Sequence, residues 1–371
     1  MAEVAEAKPC SNPGCDQLGT KSCSACNTTV YCCILCQTAN WAHHKEECPG
    51  HLRKVGTANL EKAKGFHQQQ NWVQSLRYGE LAATTLKQLK DRRLETVELI
   101  DDALSCKFDS LQRLDRHREA MECIKECYTL WAMNHMRNPG SMIAALSLIQ
   151  SCIHNKKFED AENYARHAYF MVAEMTDNFL SVDERPVFLA DGSYWLARTI
   201  FYLVKSGGIP PAEKKKAGEE AIELARKALE IHTQLFGTES CEVATDINAL
   251  ADTLDFFNNV DDNEVPRLFK QAIAIYRQVQ GSSSYNVAVC EKNLGISYGK
   301  RADRAQAAND LDRCMVNLEV ALPHYCEAAR IFRAINLVDR ADEALRDIAE
   351  IEGKIRQTRI ARATAAAASK G

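Results

Sequence analysis

The chain has 371 residues, 46 basic against 50 acidic side chains, a formal net charge of −4, and 16 cysteines. Within residues 1–50 the balance is three lysines against five acidic groups, and over the rest it is 43 against 45, so neither part has the basic footprint that phosphate binding needs. The opening MAEVAEAKPC lacks the apolar core and cleavage site of an export signal. The longest apolar stretch, residues 194–204, contains Arg198 and is too short to cross a bilayer. The expectation is an intracellular protein, cytoplasmic and/or nuclear, with neither nucleic-acid nor membrane partners, whose cysteines are not paired in disulfides.

Residues 1–9 are expected to be disordered. The next forty positions place Cys10, Cys15, Cys23, Cys26, Cys32, Cys36, His44 and Cys48 in four close pairs. Cys23 and Cys26 have the Cys-x2-Cys spacing with which a tight knuckle brings two thiolates to one ion; Cys32 with Cys36, and His44 with Cys48, are four apart and share one face of a helical turn. This is the ligand inventory of two tetrahedral zinc ions.

The run YCCILCQTANWAHHKEEC over residues 31–48, preceded by the Cys23 and Cys26 pair, resembles a MYND-type zinc finger in Tyr31, Cys32, Cys36, Gln37, Trp41, His44, Lys45 and Cys48. The resemblance, which covers residues 10–48, implies interleaved sites: Cys10, Cys15, Cys32 and Cys36 on one ion, Cys23, Cys26, His44 and Cys48 on the other. It also implies a docking surface for short proline- and leucine-containing peptides around the helix that carries Gln37 and Trp41. Trp41 serves equally well as core filler for a tiny domain. Two departures stand out. Cys10 and Cys15 are separated by four residues where the family often has two, a gap that Pro13 and Gly14 turn. Cys33 is a spare thiol where the family carries a small polar residue, and His43, next to His44, is expected to be solvent-exposed. With four protein ligands per ion and no open position, the zinc is expected to be structural, and its binding and the folding of the finger to be one event.

From about residue 58 to 357 the apolar residues recur three and four apart in a background rich in Ala, Leu, Glu, Lys and Arg, which predicts helix throughout. Breakers fall at Pro139 and Gly140, Pro186, Gly192, Gly207 and Gly208, Pro210 and Pro211, Gly237 and Gly281. A stripe of small residues returns: Ala161, Ala165, Ala168; Ala221, Ala225, Ala228; Val265, Phe269, Ala272; Ala321, Tyr325, Ala328; and more weakly Ala120, Ile124, Cys127. Small side chains there let the two helices of a hairpin approach closely. These copies resemble tetratricopeptide (TPR) repeats, and the segments beginning at Ala228 and Ala272 resemble the longer repeats of kinesin light chain. Their irregular spacing is read as insertions around 205–217 and 299–317. Residues 358–371 are expected to fray.

The fold class is therefore mostly α, a small binuclear zinc finger followed by an all-α, TPR-like helical-hairpin solenoid. Such a solenoid lines its concave side with the first helix of each hairpin. Helical spacing puts Thr245, Asn248, Asp252 and Asp255 on one stripe, and Val289, Lys292 and Ile296 on the next, as candidate peptide contacts. The cysteines beyond the finger read as small core or interface residues, and His117, His135, His154, His167, His232 and His324 are scattered without ligand spacing. No phosphate loop, nucleophile elbow or zinc-protease helix occurs. The reading is a non-enzymatic adaptor with protein or peptide partners, proline-rich segments among them. The alternative is a divergent relative of the SET/MYND protein lysine methyltransferases; it lacks a recognisable SET segment and its strands.

Overall fold

The computed structural model describes residues 8–135, 138–173, 180–257 and 263–368. Their elements are β1 (Lys21–Ser22), β2 (Val30–Tyr31), α1 (Ile34–Glu47), α2 (Pro49–Gln68), α3 (Trp72–Lys87), α4 (Leu94–Arg113), α5 (His117–Asn134), α6 (Pro139–His154), α7 (Phe158–Ala173), α8 (Glu184–Lys205), α9 (Lys214–Phe236), α10 (Cys241–Phe257), α11 (Glu264–Gln280), α12 (Tyr285–Ala307), α13 (Leu311–Ala334) and α14 (Val338–Ala368). Strand is confined, among the described residues, to the antiparallel pair Lys21–Tyr31 and Ser22–Val30 and a bridge between Pro9 and Leu18. No described helix is long and apolar enough to cross a membrane. The chain divides into two compact units, the first reaching Tyr164 and the second holding nearly everything from Ala165 onward.

One turn recurs between helices. Gln70, Asp115, Lys156, Asn309 and Asn336 all have φ between 56° and 60°, and the residue after each donates its N–H to a carbonyl five residues back, as Asn71 does to Phe66 and Asp310 to Ala305. This bond, with a left-handed residue just past the helix, is a Schellman cap, which satisfies the last carbonyls while reversing the chain. Gly207 and Gly208 make the same cap against Leu203. It closes the hairpins α2/α3, α4/α5, α6/α7, α8/α9 and α12/α13, and also joins α13 to α14. The step from α9 to α10 and from α11 to α12 instead uses Gly237 and Gly281, at φ 78° and 88° with extended ψ. The Leu235-Phe236-Gly237 turn is thus a connection between hairpins.

The small-residue stripes lie where expected, on the second helices: Ala161, Ala165, Ala168, Ala221, Ala225, Ala228, Phe269, Ala272, Ala321, Tyr325 and Ala328 are all buried. A further copy, Ser75, Gly79 and Ala82 on α3, escapes a search for alanine because its first two members are serine and glycine. A Cβ on Gly79 would sit 3.3 Å from the Ala103 carbonyl oxygen, so α3 and α4 approach at backbone distance there.

Several boundaries differ from expectation. Helix resumes at Pro49, not near residue 58, because proline at the first helical position needs no N–H partner. Pro186 and Gly192 do not break α8: the proline falls in its first turn, and the glycine faces Tyr169. The excess around 299–317 is taken up by long helices, α12 of 23 residues and α13 of 24, joined at 308–310. Helix α14 continues to Ala368, through most of the segment expected to fray, while residues 1–7 and 369–371 lie outside the described residues. Cys326, expected at a core or interface position, is exposed, so it lies outside the core.

Buried charge ties the second unit together. His232 of α9 places Nδ1 2.7 Å from Asp246 Oδ2 on α10 and Nε2 3.8 Å from Asp191 Oδ1 on α8, with Glu242 adding to the negative field. Burial by itself would lower the pKa of the imidazole, but the hydrogen bond to Asp246 and the surrounding carboxylates carry it above the ordinary 6.5. Burial also raises the carboxyls of Asp246 and Asp191. Each shift makes the folded state hold more protons than the unfolded chain, so this stabilisation is complete below the unfolded values and is lost as pH rises through the folded ones. We expect the urea midpoint of the second unit to fall as pH is raised from about 6.5 toward mildly alkaline values. In His232→Gln the slope should flatten. A pH-independent midpoint in the parent chain, followed by far-ultraviolet circular dichroism, would contradict the assignment.

Candidate functional site

The finger builds its ligand positions from short, glycine- and asparagine-assisted turns. Between Cys10 and Cys15, Pro13 precedes Gly14 at φ 79°, and Cys15 donates its N–H to the Asn12 carbonyl at 3.1 Å. Proline followed by a positive-φ glycine makes this a type II turn, so the four-residue gap closes like a shorter one. The knuckle at Cys23 closes through Asn27, at φ 57°, whose N–H reaches the Cys23 carbonyl at 2.7 Å. The β1–β2 pair then delivers Cys32, and α1 carries Cys36 and His44 on inward faces.

Two quartets result, Cys10, Cys15, Cys32 and Cys36, and Cys23, Cys26, His44 and Cys48, in each of which the ligand atoms lie within 4.8 Å of one another. The grouping is interleaved along the chain, as the resemblance implied, and Cys33 and His43 belong to neither. His43 is exposed. The donor chemistry fits Zn2+: three or four sulfurs and at most one imidazole converge in each group of four, with no carboxylate among them. Burial raises the Cys48 thiol to about 11, with the like charge of Cys26 adding to it. For Cys26 burial also pushes upward, yet the Thr28 hydroxyl donating at 3.1 Å and further donors hold it near 5. Cys32 is raised, first by its contact with Cys36, whose sulfur is 3.5 Å away. Converging thiolates that oppose one another in this way are reconciled by a dication, which supplies charge compensation and a structural cross-link.

The ligands are also the core. Cys10, Cys23, Tyr31 and Cys48 are buried together, with Trp41 and the remaining ligand cysteines packed around them. Trp41 sets its ring edge-on to His44 at 5.8 Å and to His51 at 5.4 Å, so one side of it is core filler and links the finger to α2. Gln37 is half-buried, while Ile34 and Leu35 on the same helix are 66% and 77% exposed.

Residues 10–48 match the protein family described as MYND finger. These residues are a MYND finger. The chain also aligns with solved structures at low identity. The apo form of RapI aligns with a TM-score of 0.52 at 12% identity, over 81% of this chain and 99% of that one. A Podosopora anserina putative kinesin light chain with nearly identical TPR-like repeats aligns at 0.40 and 16%, over 62% and 97%. Aspartyl phosphate phosphatase F from Bacillus subtilis aligns at 0.49 and 11%, over 86% and 74%. A search of curated proteins gives no match.

Within the second unit, the first helices of successive hairpins, α8, α10 and α12, line a groove of about 500 Å³, to which Phe332 of α13 and Arg340 and Glu343 of α14 also contribute. Asn248, Asp252, Asp255, Val289, Lys292 and Ile296 all face it, as the helical spacing predicts. Thr245 does not: its hydroxyl is bonded to Tyr276 at 2.7 Å and to the Cys241 carbonyl at 2.8 Å. Sequence reasoning missed the α8 wall, where Arg198 pairs with Asp252 at 2.8 Å and with the Tyr202 hydroxyl at 2.6 Å. Asp255 accepts from Ser297 and Lys300, Lys292 pairs with Glu343 at 2.7 Å, and Asn248 Oδ1 accepts from Asn293 Nδ2 at 3.3 Å. Cross-helix bonds therefore hold these side chains in place before any ligand arrives.

The finger meets α2 at Gly50, where a Cβ would stand 1.7 Å from the Ala25 carbonyl oxygen of the knuckle. Cys48 is both a ligand and the N-cap of α2. Gly50→Ala should therefore lower the zinc content and expose α2 to hydrogen exchange. In the parent chain, native mass spectrometry should find two ions, with at least one lost in Cys23→Ser and in Cys32→Ser. One ion or none in the parent would contradict the binuclear site.

Proposed function

We propose that the chain is a non-enzymatic adaptor in which the MYND finger and the TPR-like groove each take a peptide segment of a partner protein, the finger being residues 10–48 and the repeat region residues 58–357 together with the start of α2. The observation that carries this reading is the groove, where α8, α10 and α12 present amides, paired charges and the aromatic rings of Phe201, Phe256 and Tyr285, joined by Phe332 of α13. Amide side chains match the main-chain groups of an extended peptide, and ring faces take its apolar side chains. Tyr285 is 46% exposed there, with its ring 6.1 Å from that of Phe332, an aromatic anchor of the kind that dominates interface energies.

On the finger, the proposed peptide face is Gln37 and Trp41 with the exposed Ile34 and Leu35, and the proposed ligand class is a short proline- and leucine-containing segment. The zinc quartets are read as structural, since each already holds four protein ligands. The methyltransferase alternative draws no support from the strand content: the strands among the described residues are two residues long and lie in the finger.

Selection of the full chain against a random peptide library tests the groove. Enriched peptides should lose about tenfold in affinity, or ~1.4 kcal/mol, in Asn248→Ala and in Tyr285→Ala, and Leu35→Glu should leave them unaffected. Proline-containing peptides that bind the finger should show the reverse pattern. Peptides that bind all three variants as tightly as the parent would overturn the assignment of both faces.

A further inference from the structure

The MYND finger contains an eighth thiol, beyond the seven that join His44 in the two quartets. Cys33 belongs to neither quartet, yet its sulfur lies 3.7 Å from that of Cys32, which in turn is 3.5 Å from that of Cys36. Cys33 is the N-cap of α1, and Cys36 follows one turn later in the sequence Cys-Ile-Leu-Cys. Residues three apart at the start of a helix have Cα atoms about 5–6 Å apart, inside the span a disulfide requires. Adjacent Cα atoms, at about 3.8 Å, fall short of it, which disfavours a bridge between Cys32 and Cys33.

Access favours the first quartet over the second. Cys15, Cys32, Cys33 and Cys36 are all half-buried, and the two residues between Cys33 and Cys36 are the exposed Ile34 and Leu35. The second quartet is different: Cys23, His44 and Cys48 are buried, only Cys26 is half-buried, and no further cysteine stands beside them among the described residues.

We propose that Cys33 and Cys36 form a thiol switch on the first zinc site, in which oxidation by a peroxide joins their sulfurs and withdraws Cys36 from the metal. In the first step the Cys33 thiol reduces hydrogen peroxide, giving a sulfenic acid and water. In the second the Cys36 thiolate attacks the sulfenic sulfur and expels hydroxide, forming the disulfide. The two electrons lost by the two sulfurs are those gained by the peroxide O–O bond. Zinc is not oxidised, and with three protein ligands remaining it is held less tightly and leaves. A dithiol reductant reverses the bond and restores the quartet. This inference rests on the binuclear metal site and is independent of what either face of the protein binds.

The experiment is native mass spectrometry of the zinc-loaded full chain before and after hydrogen peroxide, with disulfide mapping, for the parent and for Cys33→Ser. Because Cys33 is outside both quartets, the variant should begin with two ions, as the parent does. Under peroxide the parent should lose the first ion and show a Cys33–Cys36 bridge, and dithiothreitol with added zinc should restore it. Cys33→Ser should keep its ions several-fold longer. Equal loss in parent and variant, a bridge between two members of the quartet, or a Cys33–Cys36 bridge with both ions retained would each overturn the switch. Fewer than two ions before oxidation would instead remove the metal site on which it depends.

Discussion

Cross-linking by metal is the constraint on which the N-terminal structure depends. The finger's interior consists of its own ligands with Tyr31 and Trp41, and that is too little apolar surface to hold a fold of this size without a staple. The interleaving has a mechanical consequence. Each ion joins segments far apart in sequence, so neither half of the finger can order while the other is loose. Cys48 passes this constraint onward, because the residue that ligates the second ion also caps α2, and Gly50 brings the first turn of that helix against the Ala25 carbonyl. The first repeat helix thus begins on a metal-fixed platform where a solenoid would otherwise expose an end.

Beyond that point a different economy operates. Helix pairs are held by stripes of alanine, serine and glycine that trade side-chain volume for backbone approach, and are reversed by a repeated left-handed cap. Asn and Asp, with Gln70 and Lys156, stand at these caps at φ near 57°, a conformation in which residues other than glycine are uncommon and Asn and Asp are the best tolerated. The repeat is therefore written in turns as much as in helices. Its outer variation, the lengthened α12 and α13, leaves the stripe intact.

The groove of the second unit follows from the same arrangement. Placing the first helix of each hairpin on one side aligns α8, α10 and α12, and the polar residues they present are bonded to one another across helices. Preorganisation of this kind lowers the ordering cost of binding an extended segment. His232, Asp246 and Asp191 join α8, α9 and α10 within the same unit through buried charge, so the walls of the groove are tied by interactions that respond to pH.

The metal quartets, the all-helical class, the second-helix stripes and much of the groove's α10 and α12 wall were legible in sequence. Each is a local pattern: ligand spacing fixes knuckles and helical turns, and a period near 3.6 fixes which residues share a face. The grouping of the eight ligands was available only through the finger's resemblance to a known family, since spacing does not say which pair joins which. Tertiary structure decided the rest. Arg198 meets Asp252 across 54 positions, His232 finds two carboxylates on two other helices, Thr245 turns to Tyr276 and leaves the groove, and Cys33 comes to rest beside a quartet it does not complete. None of these has a periodic signature, because the packing of one helix on another, not the order of residues along either, sets which side chains meet.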